Sequence, residues 1–473
     1  MTNKYYIKTL GCQMNHSDSE RIAGLLEKYG FEKASDIKEA DLVVFNTCGV
    51  RQMAEDRVYG QIHNLVTHNV ERGTKKSKVK IVLTGCLAHR KDVQRRLKDK
   101  VDLFFSINNF KEFENWIIGN YLEIVNWKLE IPAQNHKELN KENVAYLSTN
   151  PKYANGYQAF VPVMTGCNNF CSYCVVPYAR GREVSKPANE VIKEVKSLIK
   201  KGYREIILLG QNVNSYISPL PSTPSPRGRG WGEGTNFSEL LRKINAIPGN
   251  FWISFVSNHP KDFSDELIET ATKLKKICEY IHLPIQAGDN KVLQNMNRKY
   301  TREQYLKLID KIRKSFKKFK PGKLYSITSD IIVGFPGETK KQFLKSAEAM
   351  KKVKYDMVYF GQFSPRPETV SWKMKDNVSK KEKVRRENYL NEILKKTSFE
   401  NNKKYIGRIM EVLIDHMEVR LLIGSRTSEH IYFGRTRTMK NVKIISNKKT
   451  LVGKIIKVRI TKANIWNLEA KIK

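Results

Sequence analysis

The first quarter of the chain alternates short apolar runs with amphipathic stretches. Tyr5–Leu10, Leu42–Phe45, Val79–Leu83 and Val101–Phe105 are β-prone. Between them Ser17–Tyr29, a stretch from Arg51, and Ala88–Leu97 carry apolar residues at helical spacing. Ser17 and Asp18 stand where capping side chains for the first helix are expected. This βαβ alternation predicts a doubly wound parallel sheet, an α/β unit over residues 1–125.

Residues 126–155 are polar and irregular and read as a linker. A second alternating series follows. Its strands are expected at Phe160–Met164, Ile206–Leu209, Trp252–Val256, Tyr280–Leu283, Ile327–Val333 and Met357–Phe360. Helical periodicity runs over Glu190–Lys200, Phe237–Ile247, Ser264–Lys275, Arg302–Phe319, Lys340–Val353 and Ser379–Lys396. Six βα units are too few for the closed eight-stranded barrel, so an open, partial (βα)6 barrel is expected over residues 156–400. The segments just after its strands should line one mouth. They include Thr165-Gly166-Cys167, Gly210-Gln211-Asn212, Ser257-Asn258-His259-Pro260 and Gly334–Glu338. The run Pro219–Gly234, rich in Pro and Gly, fits neither helix nor strand and reads as an inserted surface loop bearing Arg227 and Arg229. Residues 403–473 hold five short β-prone runs with turn signals, which predicts a small OB-like β-barrel.

Charge changes the picture. Lys plus Arg number 85 against 48 Asp plus Glu, a net charge of +37. That excess favours a polyanionic partner, above all a nucleic acid. From Asn401 onward there are 17 Lys/Arg and 5 Asp/Glu, with Tyr432, Phe433 and Trp466 interleaved. Such a mixture suits base stacking and phosphate binding. No run approaches the roughly 18 apolar residues of a membrane span. The first residues lack the apolar core of a secretion signal, so a cytoplasmic protein with no membrane partner is expected.

The seven cysteines carry the chemistry. A reducing compartment disfavours structural disulfides. Cys12, Cys48 and Cys86 each follow the carboxyl end of a predicted strand, the edge where open α/β sheets place ligands. Cys167, Cys171 and Cys174 form C-x3-C-x2-C in the loop after the first barrel strand. Three crowded thiolates suit an iron–sulfur cube and leave one iron open for chemistry. Structural zinc prefers four protein ligands, and no fourth lies nearby in sequence. Cys278 precedes its strand, away from the mouth, and reads as buried packing.

C-x3-C-x2-C at the head of a partial barrel resembles the radical S-adenosylmethionine superfamily. The upstream cysteine triplet and the basic C-terminal barrel narrow the likeness to the methylthiotransferases, whose last domain is called TRAM. Within these the chain is most similar to the MiaB-type tRNA methylthiotransferases. The resemblance rests on Gly11-Cys12-Gln13-Met14-Asn15 with Asp18-Ser19-Glu20, and on Asn46-Thr47-Cys48-Gly49-Val50-Arg51 with Ala54-Glu55. It extends through Cys174–Glu183, Leu208–Tyr216, His282–Gly288, Met296-Asn297-Arg298 and Val333–Thr339. Departures from the family pattern are Ala287 and Asp289 for serines, Ser254 for an arginine, Glu368 for a glycine, and the 219–234 insertion.

The resemblance implies two 4Fe-4S clusters, one on Cys167, Cys171 and Cys174 and an auxiliary one on Cys12, Cys48 and Cys86. It implies S-adenosyl-L-methionine as cofactor, with Tyr173, Gln211 and Asn212 as cofactor-contact candidates. The expected substrate is N6-isopentenyl-adenosine at position 37 of a tRNA anticodon stem-loop, methylthiolated at C2. An electron donor protein and a sulfur source are implied partners. The same chemistry on another modified adenosine or on a ribosomal protein is the nearest alternative. A metal-stabilised RNA-binding protein without catalysis is the alternative from another class; the six-unit barrel and the missing fourth ligand argue against it.

Overall fold

The computed structural model describes residues 2–49, 52–71, 79–121, 145–219, 234–421, 428–448 and 450–473. Val50, Arg51, most of the expected linker, and the insertion with Arg227 and Arg229 lie outside the described residues.

The first unit is a parallel five-stranded sheet. Its strands are β1 (Lys4–Leu10), β2 (Glu32–Lys33), β3 (Leu42–Thr47), β4 (Lys80–Gly85) and β5 (Leu103–Phe104), in the spatial order β2-β1-β3-β4-β5. Every residue of β3 is buried, as a central parallel strand covered on both faces must be. Helices α1 (Gln13–Lys28) and α4 (Phe110–Tyr121) bury Ile22, Leu26, Phe113 and Ile117 against one face. Helices α2 (Gln52–Glu71) and α3 (Lys91–Leu97) bury Val58, Ile62 and Val93 on the other, so the sheet is doubly wound as expected. One expectation fails. Ser17 and Asp18 do not cap α1, whose N-cap is Cys12. Both are fully buried inside the helix, where tertiary partners and not capping decide their place.

The second unit holds six barrel strands in sequence order. Strands β6 (Gln158–Pro162), β9 (Glu205–Leu209) and β10 (Trp252–Phe255) form one parallel set. Strands β11 (Tyr280–His282), β12 (Ser326–Val333) and β13 (Met357–Gln362) form the second. A single parallel bridge, Ile253 to Ile277, joins them. A small antiparallel pair, β7 (Met164–Thr165) and β8 (Val184–Ser185), flanks the first strand. The outer helices begin where a short polar side chain satisfies a free backbone N–H. Asn236, Ser264, Thr301, Thr339 and Ser379 each accept from the residue three positions on.

The last unit is a closed barrel of β14 (Ile409–Leu421), β15 (Ser428–Thr436), β16 (Asn441–Ile445), β17 (Ile455–Ala463) and β18 (Leu468–Ile472). Tyr432 is fully buried and fills this barrel, so it cannot stack on a base. Phe433 stacks on His416 at 4.6 Å, while Trp466 stays exposed.

The closed barrel docks on the amino-terminal ends of the barrel strands. Arg437 pairs with Glu279 at 2.8 Å, and Lys440 with Asp356 at 2.8 Å. Arg435 reaches Glu205 at 3.4 Å; Ser254 Oγ donates to the same carboxylate at 3.4 Å. Cys278 is buried with Trp252 and Leu413 at this junction, as its packing role requires.

At the opposite end α1 is tied to α5 (Val176–Arg180), which follows the C-x3-C-x2-C loop. Arg180 Nη2 donates to Asp18 Oδ2 at 2.5 Å, with both side chains at 2% exposure or less. Tyr146 Oη donates to Asp18 Oδ1 at 2.6 Å, and Asn108 Nδ2 to the Arg180 carbonyl at 3.1 Å. Removing one partner of a buried pair strands the other charge, at about 3–5 kcal/mol. Asp18→Ala should therefore lower unfolding stability by about that amount in urea titration, and a loss under about 1 kcal/mol would contradict this account.

Candidate functional site

The three upstream cysteines stand on adjacent strand ends because the register puts them there. Leu10 pairs with Thr47, and Thr47 with Gly85. The Cys48 N–H donates to the Leu10 carbonyl at 2.9 Å, and the Cys86 N–H to the Thr47 carbonyl at 2.9 Å. Asn15 and Asn46 lock the first loop to the second strand. Asn15 Nδ2 donates to Asn46 Oδ1 at 2.9 Å, and Asn46 Nδ2 to the Asn15 carbonyl at 2.8 Å. Asn15 Oδ1 also accepts from the Cys12 N–H at 3.1 Å. A Cβ on Gly49 would lie 2.6 Å from the Cys86 carbonyl oxygen, so only glycine lets these two loops meet. Cys48 and Cys86 are buried, while Cys12 keeps an exposed face.

The second triplet sits at the carboxyl end of the barrel strands. Gly166, in a left-handed conformation at φ 80°, turns the chain into this loop. A Cβ there would meet the Arg182 carbonyl oxygen at 2.0 Å. The segment Asn295–Arg298 grips the loop from outside. Ser172 N–H donates to the Met296 carbonyl at 3.0 Å, and Asn297 Nδ2 to the Phe170 carbonyl at 2.8 Å. Arg298 Nη1 donates to Cys171 Sγ at 3.1 Å.

The two triplets share one electrostatic neighbourhood. Burial raises the pKa of Cys12, and negative charge on Cys86 adds to the rise. Burial likewise lifts Cys174 far above the usual thiol value, with Cys171, Cys167 and Cys86 all contributing. Burial pushes Cys167 from 9.0 up to about 11. All seven cysteines are free thiols. Among the described residues no three Cys, His, Asp or Glu side chains close around a single-ion site. Three thiols at each location is the donor chemistry of an iron–sulfur cube with one open corner.

The mouth of the barrel carries buried polar atoms that no described protein group satisfies. Thr165 Oγ1, Gln211 Oε1, Asn212 Oδ1, Asn258 Oδ1 and His259 Nε2 are buried without a hydrogen-bond partner among the described residues. Each follows a barrel strand, and buried polar atoms are ordinarily satisfied by a partner. Their second atoms are fixed: Asn212 Nδ2 donates to Asp262 at 2.8 Å, and Asn258 Nδ2 to the His282 carbonyl at 2.8 Å. His259 Nδ1 accepts from the Lys261 N–H at 3.2 Å, which leaves the proton on Nε2. Burial, helped by the charge of Arg298, depresses its pKa to about 2, so the ring is neutral. Gln211 and Asn212, chosen from sequence, thus sit with these groups. Tyr173 is half-buried against the barrel core, and burial raises its phenol well above the usual value.

In the segment after β13 the sequence singled out Glu368 but not Arg366. Arg366 Nη1 donates to Glu55 at 3.0 Å and to Gln52 at 2.9 Å, and Arg90 donates to the same Glu55 at 2.8 Å. Glu368 pairs with His89 at 3.4 Å. The Ser371 N–H donates to the Ser172 carbonyl at 2.8 Å. One strap therefore touches the surroundings of both triplets. For Arg366 the sequence signal was its place between two prolines in a post-strand loop. A separate cavity of about 190 Å³ lies between the barrel strands and the closed barrel, its walls including Gln13, Tyr280, Tyr359, Arg435 and Trp466.

A partial barrel with three thiols at its mouth defines the radical S-adenosylmethionine class. Residues 161–350 match the radical SAM superfamily, residues 4–106 the uncharacterized protein family UPF0004, and residues 403–473 the TRAM domain. The chain is 40% identical over 470 residues to a tRNA-2-methylthio-N(6)-dimethylallyladenosine synthase of Syntrophomonas wolfei, covering 99% of this chain and 97% of that one. It is 40% identical over 473 residues to a protein of the same name from Thermoanaerobacter sp. (strain X514), covering 99% and 92%. Among solved structures, the radical S-adenosylmethionine methyltransferase TsrM of Kitasatospora setae shares the fold, with a TM-score of 0.51 at 15% identity over 78% of this chain and 74% of that one. The chain belongs to the tRNA-2-methylthio-N(6)-dimethylallyladenosine synthase family.

Two outcomes follow from this geometry. Glu368 has φ 70°, a left-handed backbone that costs a non-glycine residue about 1–2 kcal/mol, while its half-exposed pair with His89 returns at most about 1. Glu368→Gly should thus stay within about 1 kcal/mol of the parent in urea, and Glu368→Val should fall clearly below both. The second concerns Cys167 in the metal-free protein. Its folded pKa is raised, so its contribution to stability is complete below pH 9 and is lost as pH rises towards 11. Relative to Cys167→Ser, the parent should lose on the order of 2 kcal/mol between pH 9 and 11. Parallel stability curves would refute it.

Proposed function

We propose that the protein methylthiolates C2 of N6-isopentenyl-adenosine at position 37 of tRNA, giving the 2-methylthio derivative. The observation that carries the reading is the pair of three-thiol sites at facing strand ends, with unsatisfied polar atoms at the barrel mouth. In this proposal the domain limits are 1–125, 156–400 and 403–473.

Cys167, Cys171 and Cys174 hold the 4Fe-4S cluster of the barrel, and Cys12, Cys48 and Cys86 the auxiliary one. When bound, these clusters and S-adenosyl-L-methionine supply the one-electron chemistry and the sulfur that an unactivated C2–H demands. The chain's own residues do the rest. The raised thiol pKa values mean that the thiols give up protons when metal enters. Gln211 Oε1, Asn212 Oδ1 and Asn258 Oδ1 offer acceptors to the ammonium and hydroxyl groups of the cofactor, and His259 Nε2–H offers a donor. Tyr173 packs beside them from between two ligands. The Asp18–Arg180 pair fixes the separation of the two sites. The cavity walled by Tyr280, Tyr359 and Trp466 has aromatic faces on which a base can stack.

The basic closed barrel and the net charge of +37 support tRNA as the polyanionic partner. Each turnover consumes sulfur and electrons, so a sulfur source and an electron donor protein are required partners. Among the described residues no helix is long and apolar enough to cross a membrane; a cytoplasmic location is part of the proposal.

Mass spectrometry of tRNA nucleosides from cells with and without the gene tests the reading. The gene should restore the methylthio mass on isopentenyl-adenosine. Restoration on a different adenosine, or on no tRNA, would overturn it. Replacing Cys12, Cys48 and Cys86 together by Ala should abolish methylthio product yet leave formation of 5′-deoxyadenosine, measured by chromatography. Cys171→Ala should abolish both.

A further inference from the structure

Arg298 is a buried cation without a carboxylate. Among the described residues no Asp or Glu lies within ion-pair distance of it, although its residue surface is only 9% exposed. A charge taken out of water needs a counter-charge. The groups around Arg298 are the Cys171 sulfur and the hydroxyls of Tyr173 and Tyr300, which burial keeps neutral. Of these its guanidinium donates to Cys171 Sγ at 3.1 Å and to Tyr300 Oη at 3.1 Å. The tyrosine is itself fixed, since its hydroxyl donates to the Ile285 carbonyl at 2.8 Å. The flanking residues hold the loop independently: Ser172 Oγ donates to the Asn295 carbonyl at 2.8 Å, and Asn297, at φ 58°, reaches the Phe170 carbonyl. Arg298 is thereby aimed at one sulfur and at no carboxylate.

We infer that Arg298 is a positioning residue for the barrel cluster, whose charged N–H···S bond to Cys171 raises that cluster's reduction potential. The inference rests on the reading of Cys167, Cys171 and Cys174 as ligands. A hydrogen bond and a positive charge at a ligand sulfur both draw electron density from it, and both favour the reduced, more anionic cluster. The residue touches neither substrate nor reacting atoms in this role. It sets how readily the cluster accepts the electron.

The test uses the full chain with Cys12, Cys48 and Cys86 replaced by Ala, so that one cluster remains. Its midpoint potential is read by redox titration followed by electron paramagnetic resonance, with iron content measured in parallel. Arg298→Met should keep the iron but move the midpoint to a lower potential. Arg298→Lys, which keeps the charge without the fork, should fall between. Tyr300→Phe, which frees the guanidinium, should shift the same way by less, and it serves as the measured variant if Arg298→Met does not fold. Full iron with an unchanged midpoint in all variants overturns the inference. An unchanged midpoint with weakened binding of S-adenosylmethionine overturns it too and makes Arg298 a carboxylate clamp. Absence of any cluster signal in the starting protein would instead refute the ligand assignment.

Discussion

The Asp18–Arg180 ion pair is the interaction on which the arrangement of the sites depends. Asp18 sits one and a half turns into the helix that Cys12 caps, and Arg180 ends the helix that follows Cys174. The pair is almost fully buried, so neither partner can be lost without leaving an uncompensated charge in a dry place. Tyr146 and Asn108 take up further hydrogen-bonding capacity at each end. Two separate folds are thus clamped at the point where their cysteines face each other. Chemistry that spans the two triplets needs that spacing fixed, because misplacement by about 1 Å can cost on the order of a hundredfold in rate.

Around this clamp the molecule is polarised. The thiols and the orphan polar atoms collect at the carboxyl ends of the strands, where side chains emerge from loops and can be varied without touching the core. The amino ends carry Glu205, Glu279 and Asp356, and the closed barrel answers them with Arg435, Arg437 and Lys440. The last domain is therefore structural support as well as a basic surface. Ser254 fits this arrangement: where relatives are expected to place an arginine, Arg435 reaches over from the closed barrel to the same Glu205.

The pattern of strands and the cysteines at their ends were legible because both are local. A period of two or 3.6 residues and a Cys placed just after a strand need no knowledge of the rest of the chain. Ser17 and Asp18 misled for the converse reason: their residue types favour caps, but Phe160, Arg21, Tyr146 and Arg180 engage them inside the helix. Tyr432 misled because alternation along β15 turns it inward while Phe433 points out. Arg366 and Glu55 are over 300 positions apart, and nothing short of the fold reveals that they meet. Arg298 lay in a recognised motif, yet its partner Cys171 could be named only from the coordinates.

The strap after β13 has a consequence for how the protein is made. The thiols of Cys12, Cys48 and Cys86 are all in the chain once Cys86 has been synthesised, but Arg366 and Glu368, which pair with Glu55 and His89, come about 280 residues later. At roughly 5–20 residues per second the ribosome needs about 15 s to a minute to deliver them. Throughout that interval the three thiols are in the chain without the residues that brace Glu55 and His89.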